Sequence, residues 1–502
     1  MVKAAFIGTL AAIVLAACSP FGGASVFNCE QDSQCSPSGS CKLPEGLCTF
    51  PNASCPSGQE YGQHSGSMSG KCVGDDVGVD AAIDAPTMCT PSAKTCFNHA
   101  IETCKATGDG FEPAMKEQCA LTCAEGSTTC STAVASNIPV ADQKACHATG
   151  SALALSPTSG ATVTIAQTEI TCTPMCNAGG TTTIPRTAST PNNFFCLAAL
   201  NIPTGVTVNV TATSATTLFS HGAAAINSNI SFDAGDAAGA INGAGMTADD
   251  VPGRGGPGGF IGGALSNNDS AGLAGMGPCA GGVGGNVGTG MNAAGAGGGG
   301  GGHVGTGGAG GNGQNPNGAG ATGGTAGVNT ACSSNEARPL VGGSGGSGGG
   351  DGSCGVGVRC GWPGGGGGGA LHVVSRSTIS GSGTVSANGG DGFGEATQAG
   401  GGGGGGAGGT LLLEAPAVTF TGPLQVTGGT GGISNPGNNA GTGAAAGNLN
   451  GGPGGAAQED DRGGAGGGGG GGRIRINATA AACPASVTPT ASCSTGALRT
   501  TP

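Results

Sequence analysis

The stretch from Ala370 to Gly392, ALHVVSRSTISGSGTVSANGGDG, realigns with Thr410 to Gly432, TLLLEAPAVTFTGPLQVTGGTGG, after about forty residues. In each, three short apolar pieces follow one another, separated by small or polar corners. Leu371 and Val373, then Ile379, then Val385 are predicted to face inward in the first copy. Leu411 and Leu413, then Val418 and Phe420, then Leu424 and Val426 are predicted to do so in the second. A period of two in such pieces fits strands and not helices. Three sides per repeat is the layout of a parallel β-helix, whose coils pair with their neighbours and bury a column of stacked side chains. Arg473-Ile474-Arg475-Ile476-Asn477 would begin one more turn, and the run from Val206 to Ala234 fits the same scheme loosely. The β-branched runs ATVTIAQTEITC and GVTVNVTATSATTLFS, which follow a change of character near Ala141, also read as successive sides of a coil rather than as hairpins. The expected fold class is all-β, a right-handed parallel β-helix.

Glycine supplies 113 of the 502 residues, and it does not scatter. Its runs leave the coil after the third side (NISFDAGD, SANGGDG, QVTGGTGG) and return before the first (GGGGGGALHV, GGAGGTLLLE, GGGGGGRIRI). Stacked coils would therefore project all three insertions from one edge. Two readings stand. Alone, such segments stay loose, because fixing a glycine costs roughly 1 kcal/mol more than fixing an alanine. Held parallel by a scaffold, they would form extended threads of about 3.1 Å per residue, hydrogen-bonded sideways as a polyglycine II bundle. Cys279, Cys332, Cys354 and Cys360 all fall in the longest insertion, where cross-links in pure linker would serve little purpose.

The 23 cysteines divide by segment. Cys29, Cys35, Cys41, Cys48, Cys55 and Cys72 form one group of six, and Cys89, Cys96, Cys104, Cys119, Cys123 and Cys130 a second. Each segment is too small and too poor in large apolar residues to build a core, so disulfides must hold it. Neither group contains a CxxC, so zinc is not expected. Six cysteines allow fifteen pairings, and spacing does not choose among them. Cys146, Cys172, Cys176 and Cys196 lie among the first strand-like runs, and Cys483 and Cys493 are placed to clip the C-terminal end. The expected organisation is a signal peptide over 1–17, a tether over 18–28, Cys-rich modules over 29–73 and 88–131, and an acidic Ala/Pro linker over 74–87. Coils follow over 141–240 and 370–482, separated by a Gly-rich insertion over 241–369, with a disulfide-clipped tail over 483–502.

The first nineteen residues, MVKAAFIGTLAAIVLAACS, set one lysine before an apolar stretch of about twelve residues, a signal-peptide layout too short to span a bilayer. Leu15-Ala16-Ala17-Cys18 resembles a bacterial lipobox, which implies cleavage before Cys18, acylation of its thiol and membrane attachment. Removing Cys18 leaves an even number of cysteines, as an oxidised exported chain requires. Ser19 in place of aspartate implies the outer membrane, on its periplasmic or surface-exposed side. Cys48-Thr49-Phe50-Pro51, Cys55-Pro56-Ser57-Gly58 and Tyr61 resemble the Cys-rich module that opens many surface lipoproteins of myxobacteria, over about a tenth of the chain. The glycine-rich remainder is similar to PE-PGRS proteins in composition only.

Chemistry is sparse in this sequence. Matches to GxGxxG and GxSxG follow from glycine abundance, and the phosphate-binding GxxxxGK[ST] is excluded because the last lysine is Lys144. Polysaccharide-cleaving β-helices need clustered carboxylates, whereas Glu169, Asp233, Glu414 and Arg376 are scattered and read as a solvated outward face. The histidines sit apart with no ligand spacing. A net charge of −12 argues against nucleic acid, and aromatics at 3 % leave few stacking platforms for sugars. Trp362 is the single tryptophan and the one residue to test as a contact anchor, with a plug covering the coil the favoured reading. The sequence therefore points to a cofactor-free, non-catalytic envelope or adhesive lipoprotein, joined to a membrane by its lipid and meeting glycans or surface proteins. A β-helix that binds or cleaves polysaccharide is the alternative.

Overall fold

A computed structural model describes residues 29–73, 89–148, 153–239, 251–352 and 361–499, short interruptions within these ranges aside. The lipobox with Cys18, the acidic linker, and Cys332, Cys354 and Cys360 lie outside the described residues. The chain divides into two compact units. The first contains the N-terminal module, a three-stranded antiparallel sheet of Ser40–Lys42, Leu47–Pro51 and Gln59–Tyr61. Its core is sulfur rather than hydrocarbon: Cys29–Cys41, Cys35–Cys48 and Cys55–Cys72 are bonded, and the first two pairs pack with Phe50. In the second unit, Lys94–Phe97, Ala100–Thr103 and Glu117–Gln118 form another small antiparallel sheet, clamped by Cys96–Cys123 and Cys119–Cys130.

Beyond these modules the apolar pieces stack as parallel rungs. The first side is Asn193–Ile202, Thr216–Ser220, Ala370–Ser375, Thr410–Glu414, Arg473–Asn477 and Cys493–Gly496, each paired in parallel with the next. The second side is Ala224–Ile226, Thr378–Gly381 and Ala417–Phe420, begun by the far half of the ten-residue strand Asn193–Ile202. The third is Ile230–Ser231, Val385–Ser386, Leu424–Gln425 and Val487–Thr488. The inward positions expected from the sequence all fall in one core: Leu371, Val373, Ile379, Val385, Leu411, Leu413, Phe420, Leu424 and Val426 are buried, with Val418 packed against them. The Cys483–Cys493 disulfide closes the last turn.

Two parts of the start differ from expectation. ATVTIAQTEITC is a hairpin, with Thr162–Ile165 antiparallel to Glu169–Thr173, and only its first strand joins the coil, in parallel with Thr207–Val210. Val163, Ile165 and Ile170 point the same way in a hairpin as in a coil, so alternation alone does not separate the two. Val140–Ala148 is a helix, which β-branched patterning further on does not reveal. It forms part of a cover over the outer face of the first side. Leu121, Ala133, Ala135, Ile138 and Cys146 pack there on Phe194, Phe219 and Val374.

The corner after the third side is fastened by side-chain carbonyls and carboxylates. Asp233 accepts from the Asn388 amide, and Asn388 from that of Thr427 one coil further on at 2.9 Å. Asp236, Asp391 and Thr430 repeat the relay at 2.8 and 2.7 Å. Every glycine insertion starts from this fixed line.

The described parts of the insertions are ordered threads. In residues 399–410, the N–H groups of Gly401, Gly404 and Ala407 donate to Gly350, Ser347 and Ser344; those of Gly402, Gly405 and Gly408 donate to Gly464, Gly467 and Gly470. Those of Gly403, Gly406 and Gly409 donate to Phe393, Gly390 and Ala387, all at 2.7–2.9 Å. The carbonyls of the same thread accept from three further threads, through Trp362, Gly365 and Gly368, through Gly298 and Gly301, and through Gly432 and Gly429. A backbone that turns once in three residues and bonds to six neighbours is a polyglycine II lattice. Glycine is required there by space: a Cβ on Gly402, Gly405 or Gly408 would collide with the carbonyls of Gly432, Gly429 and Val426.

Candidate functional site

Where a thread is enclosed on all sides, glycine runs are longest, as in residues 297–302, 364–369 and 400–406, and the side chains that do occur there, such as Ala407, Ser344 and Ser347, are small and buried. Where a thread lies at the edge, one position in three is free. Gly307-Gly308-Ala309-Gly310-Gly311-Asn312 pairs through Gly307 and Gly310 with one neighbour and through Gly308 and Gly311 with another, leaving Ala309 and Asn312 exposed. The GGx period of three thus reports a thread with one position in three open to a side chain, outward at Ala309 and Asn312 and inward, as a small buried hydroxyl, at Ser344 and Ser347. Several of these free positions carry large apolar side chains. Ile261, Leu273 and Met276 are 40 %, 55 % and 60 % exposed, and Leu273 and Met276 bond through their backbones to Ala264 and Ile261 on the adjoining thread. Neighbouring threads therefore present an apolar surface whose spacing is set by the backbone. Solvent-facing hydrophobic groups grouped in this way mark contact surfaces more often than singly scattered ones do.

Trp362, the residue to test as a contact anchor, is 1 % exposed. It stands edge-on to Phe393, 5.1 Å between ring centroids, and its backbone bonds to Gly401 and Gly349 within the lattice. A ring enclosed this fully against Phe393 offers no contact anchor, and of the two readings burial favours a packing role over surface contact.

Glu414 and Arg376, read as solvated, are both buried. The cover explains this. Glu414 accepts at Oε2 from the Ser136 amide at 2.6 Å and pairs there with His372 Nε2 at 2.8 Å; at Oε1 it accepts from Ser136 Oγ at 2.8 Å and from Asn477 at 2.7 Å. Burial alone would raise this carboxyl; the His372 hydrogen bond and charge, with Asn477 and Ser136, outweigh it and hold the group below its usual range. Serine, histidine and glutamate meet here, but both Ser136 and His372 are attached to the carboxylate, so the hydroxyl is not presented to the imidazole as nucleophilic catalysis requires. The arrangement ties the cover to the ladder. Arg376 lies over the Phe219 ring, 5.3 Å from its centroid, and donates from Nη2 to the Gln143 carbonyl at 2.9 Å.

The remaining expected residues serve structure. Cys146–Cys196 and Cys172–Cys176 are bonded, and Cys89, Cys104 and Cys279 are also in disulfides. Sulfur and nitrogen atoms of Cys146, Cys196 and His221 lie within 4.8 Å of one another, as do the sulfurs of Cys29, Cys35 and Cys48. Their disulfide bonds remove the thiolates a metal would need. In the N-terminal module, Phe50, Tyr61, Gln63 and His64 line an open groove of about 830 Å³. No family model, curated protein or solved structure matches the chain.

Proposed function

We propose that this chain is an outer-membrane lipoprotein, held by an acylated Cys18, whose glycine bundle is a rigid display body serving attachment or envelope structure. The observation that carries the reading is the division of labour in the bundle. Interior threads are mostly glycine with few, mainly small, buried side chains, and the threads nearer the surface carry outward residues, among them Ile261, Leu273 and Met276. A lattice fixed by its own backbone holds such residues without ordering entropy at the moment of contact, which favours binding. The export signal and the disulfide-rich modules agree with life outside the cytoplasm. The partner class that suits this surface is glycan or protein at another surface, with the modules as spacer.

The test is binding of the full purified chain to intact cells and to immobilised envelope glycans, beside a variant carrying Ile261→Ser, Leu273→Ser and Met276→Ser. Binding that drops at least tenfold in the variant, at unchanged Tm, supports attachment. Absence of binding together with envelope leakage on deletion of the gene supports the structural arm. Absence of both overturns the proposal. Cys18→Ala is expected to move the protein from the membrane to the soluble fraction; a variant that stays in the membrane fraction removes the lipid anchor from the reading.

A further inference from the structure

Beneath the cover, Arg376 is 1 % exposed, and its Nε and Nη1 atoms have no hydrogen-bond partner. Among the described residues the guanidinium has one hydrogen-bond partner, the neutral carbonyl of Gln143, and one ring contact, Phe219. Burial lowers the guanidinium to about 10, which leaves it charged at neutral pH, and no carboxylate is among the groups that act on it. The side chains that do share its field are two imidazoles. His221, whose Nε2 meets the Cys146 carbonyl at 2.9 Å, and His99, whose Nδ1 meets Thr122 Oγ1 at 3.0 Å, are each lowered by burial first and by the Arg376 charge second or third. Two imidazoles from separate segments thus feel the guanidinium's charge, and among the described residues no carboxylate acts on it.

An uncompensated buried cation is costly by several kcal/mol, and a buried donor without an acceptor adds to that cost. Water would satisfy the donors and leave the charge. We propose that the Arg376 guanidinium holds a small inorganic anion of the halide class beneath the cover, in the field of His221 and His99. The size limit follows from burial: a side chain shielded this fully by Phe219 and the helix Val140–Ala148 has no room to admit a carboxylate-bearing polymer. The ion joins the cover to the first side of the ladder, since Arg376 follows the strand Ala370–Ser375 and Gln143 belongs to the helix.

The experiment is thermal unfolding of the full chain in sodium chloride, bromide or gluconate at equal ionic strength. Chloride and bromide are expected to raise Tm saturably by a few degrees over gluconate, as mass action requires for an ion bound only to the folded state. Arg376→Met keeps the packing volume and removes the charge; it should abolish the halide response and melt above the native protein in gluconate. Equal halide responses in both proteins overturn the site. Should the variant fail to fold, chloride-35 line width in the presence of the native protein decides: broadening reversed by bromide supports the site, and an unbroadened line overturns it.

Discussion

Leu411 and Gly405 stand six residues apart in one segment, both buried, and are held in place by opposite means. Leu411 is fixed by its side chain, which stacks between Leu371 and Ile474 of the coils on either side. Gly405 is fixed by having none. Its amide reaches Gly467 and its carbonyl Gly301, each at close to 2.9 Å, because nothing keeps the threads apart. The coil draws its stability from hydrocarbon removed from water. In the bundle, hydrogen bonds of about 1 kcal/mol net each must offset the entropy of ordering glycine, a near balance that an isolated thread would lose. The comparison teaches that the bundle depends on the coil and not the reverse: the coil sets where each thread begins and ends.

The contrast is broken most severely by adding side chains to the interior. Gly405→Val is expected to destabilise by more than about 4 kcal/mol or to prevent the bundle forming, while Ala309→Val on an edge thread stays within about 0.5 kcal/mol of the native protein. Hydrogen exchange sharpens the point, since amides of residues 401–409 should be protected as strongly as those of Thr410–Glu414. Comparable Tm losses in the two valine variants, or fast exchange along that thread, would contradict the lattice.

A second, smaller effect comes from acid. His303 is buried in the bundle, and burial first, then the Arg473 charge, lower it to about 3, despite an opposing contribution from the Val341 carbonyl. The unfolded chain takes up a proton below about pH 6.5 and the folded one does not. Stability is therefore complete above pH 6.5 and falls by about 1.4 kcal/mol per pH unit toward pH 3. Replacing His303 with leucine should flatten that slope in denaturant titrations run from pH 7 to pH 4. An unchanged slope would show that the imidazole is solvated.

The smallest expected effect concerns the cover. Glu414→Gln removes charge-assisted bonds to Ser136 and His372 and should cost about 2 kcal/mol at pH 7. The native carboxyl is lowered, so its contribution is present above the ordinary carboxylate value and disappears as pH falls through the folded one. The variant should lack that last portion of the acid loss, which the same titrations extended below pH 4.5 would reveal.

Leu371, Val373, Leu411 and Leu413 were legible because a period of two and a repeat near forty residues constrain each other. Thread order was not legible from glycine content, which suits loose and packed chain alike; the period of three at Ala309 and Asn312, and again at the buried Ser344 and Ser347, is its trace in the sequence. Glu414 and Arg376 were misread for a different reason. Their partners Ser136 and Gln143 lie 278 and 233 residues away in sequence, and local pattern holds no trace of a cover. A hint existed in Leu411-Leu412-Leu413, an unbroken apolar run that signals a strand covered on both faces. Leu412 indeed packs outward against Ala215, Ala337 and Leu340.

The ladder keeps register across gaps of very different size. Thr216–Ser220 waits 155 residues for Ala370–Ser375, and Thr410–Glu414 waits 63 for Arg473–Asn477, while Thr421 finds Gly381 across only 40. The neighbours of residues 399–410 come from positions as early as Gly295 and as late as Arg473. A chain emerging from a ribosome or a translocation pore, amino end first, cannot complete that thread's surroundings until almost all of it has been delivered. Maturation of the bundle is consequently a late and concerted event, and a chain cut short before Gly470 would leave its central thread without a full set of neighbours.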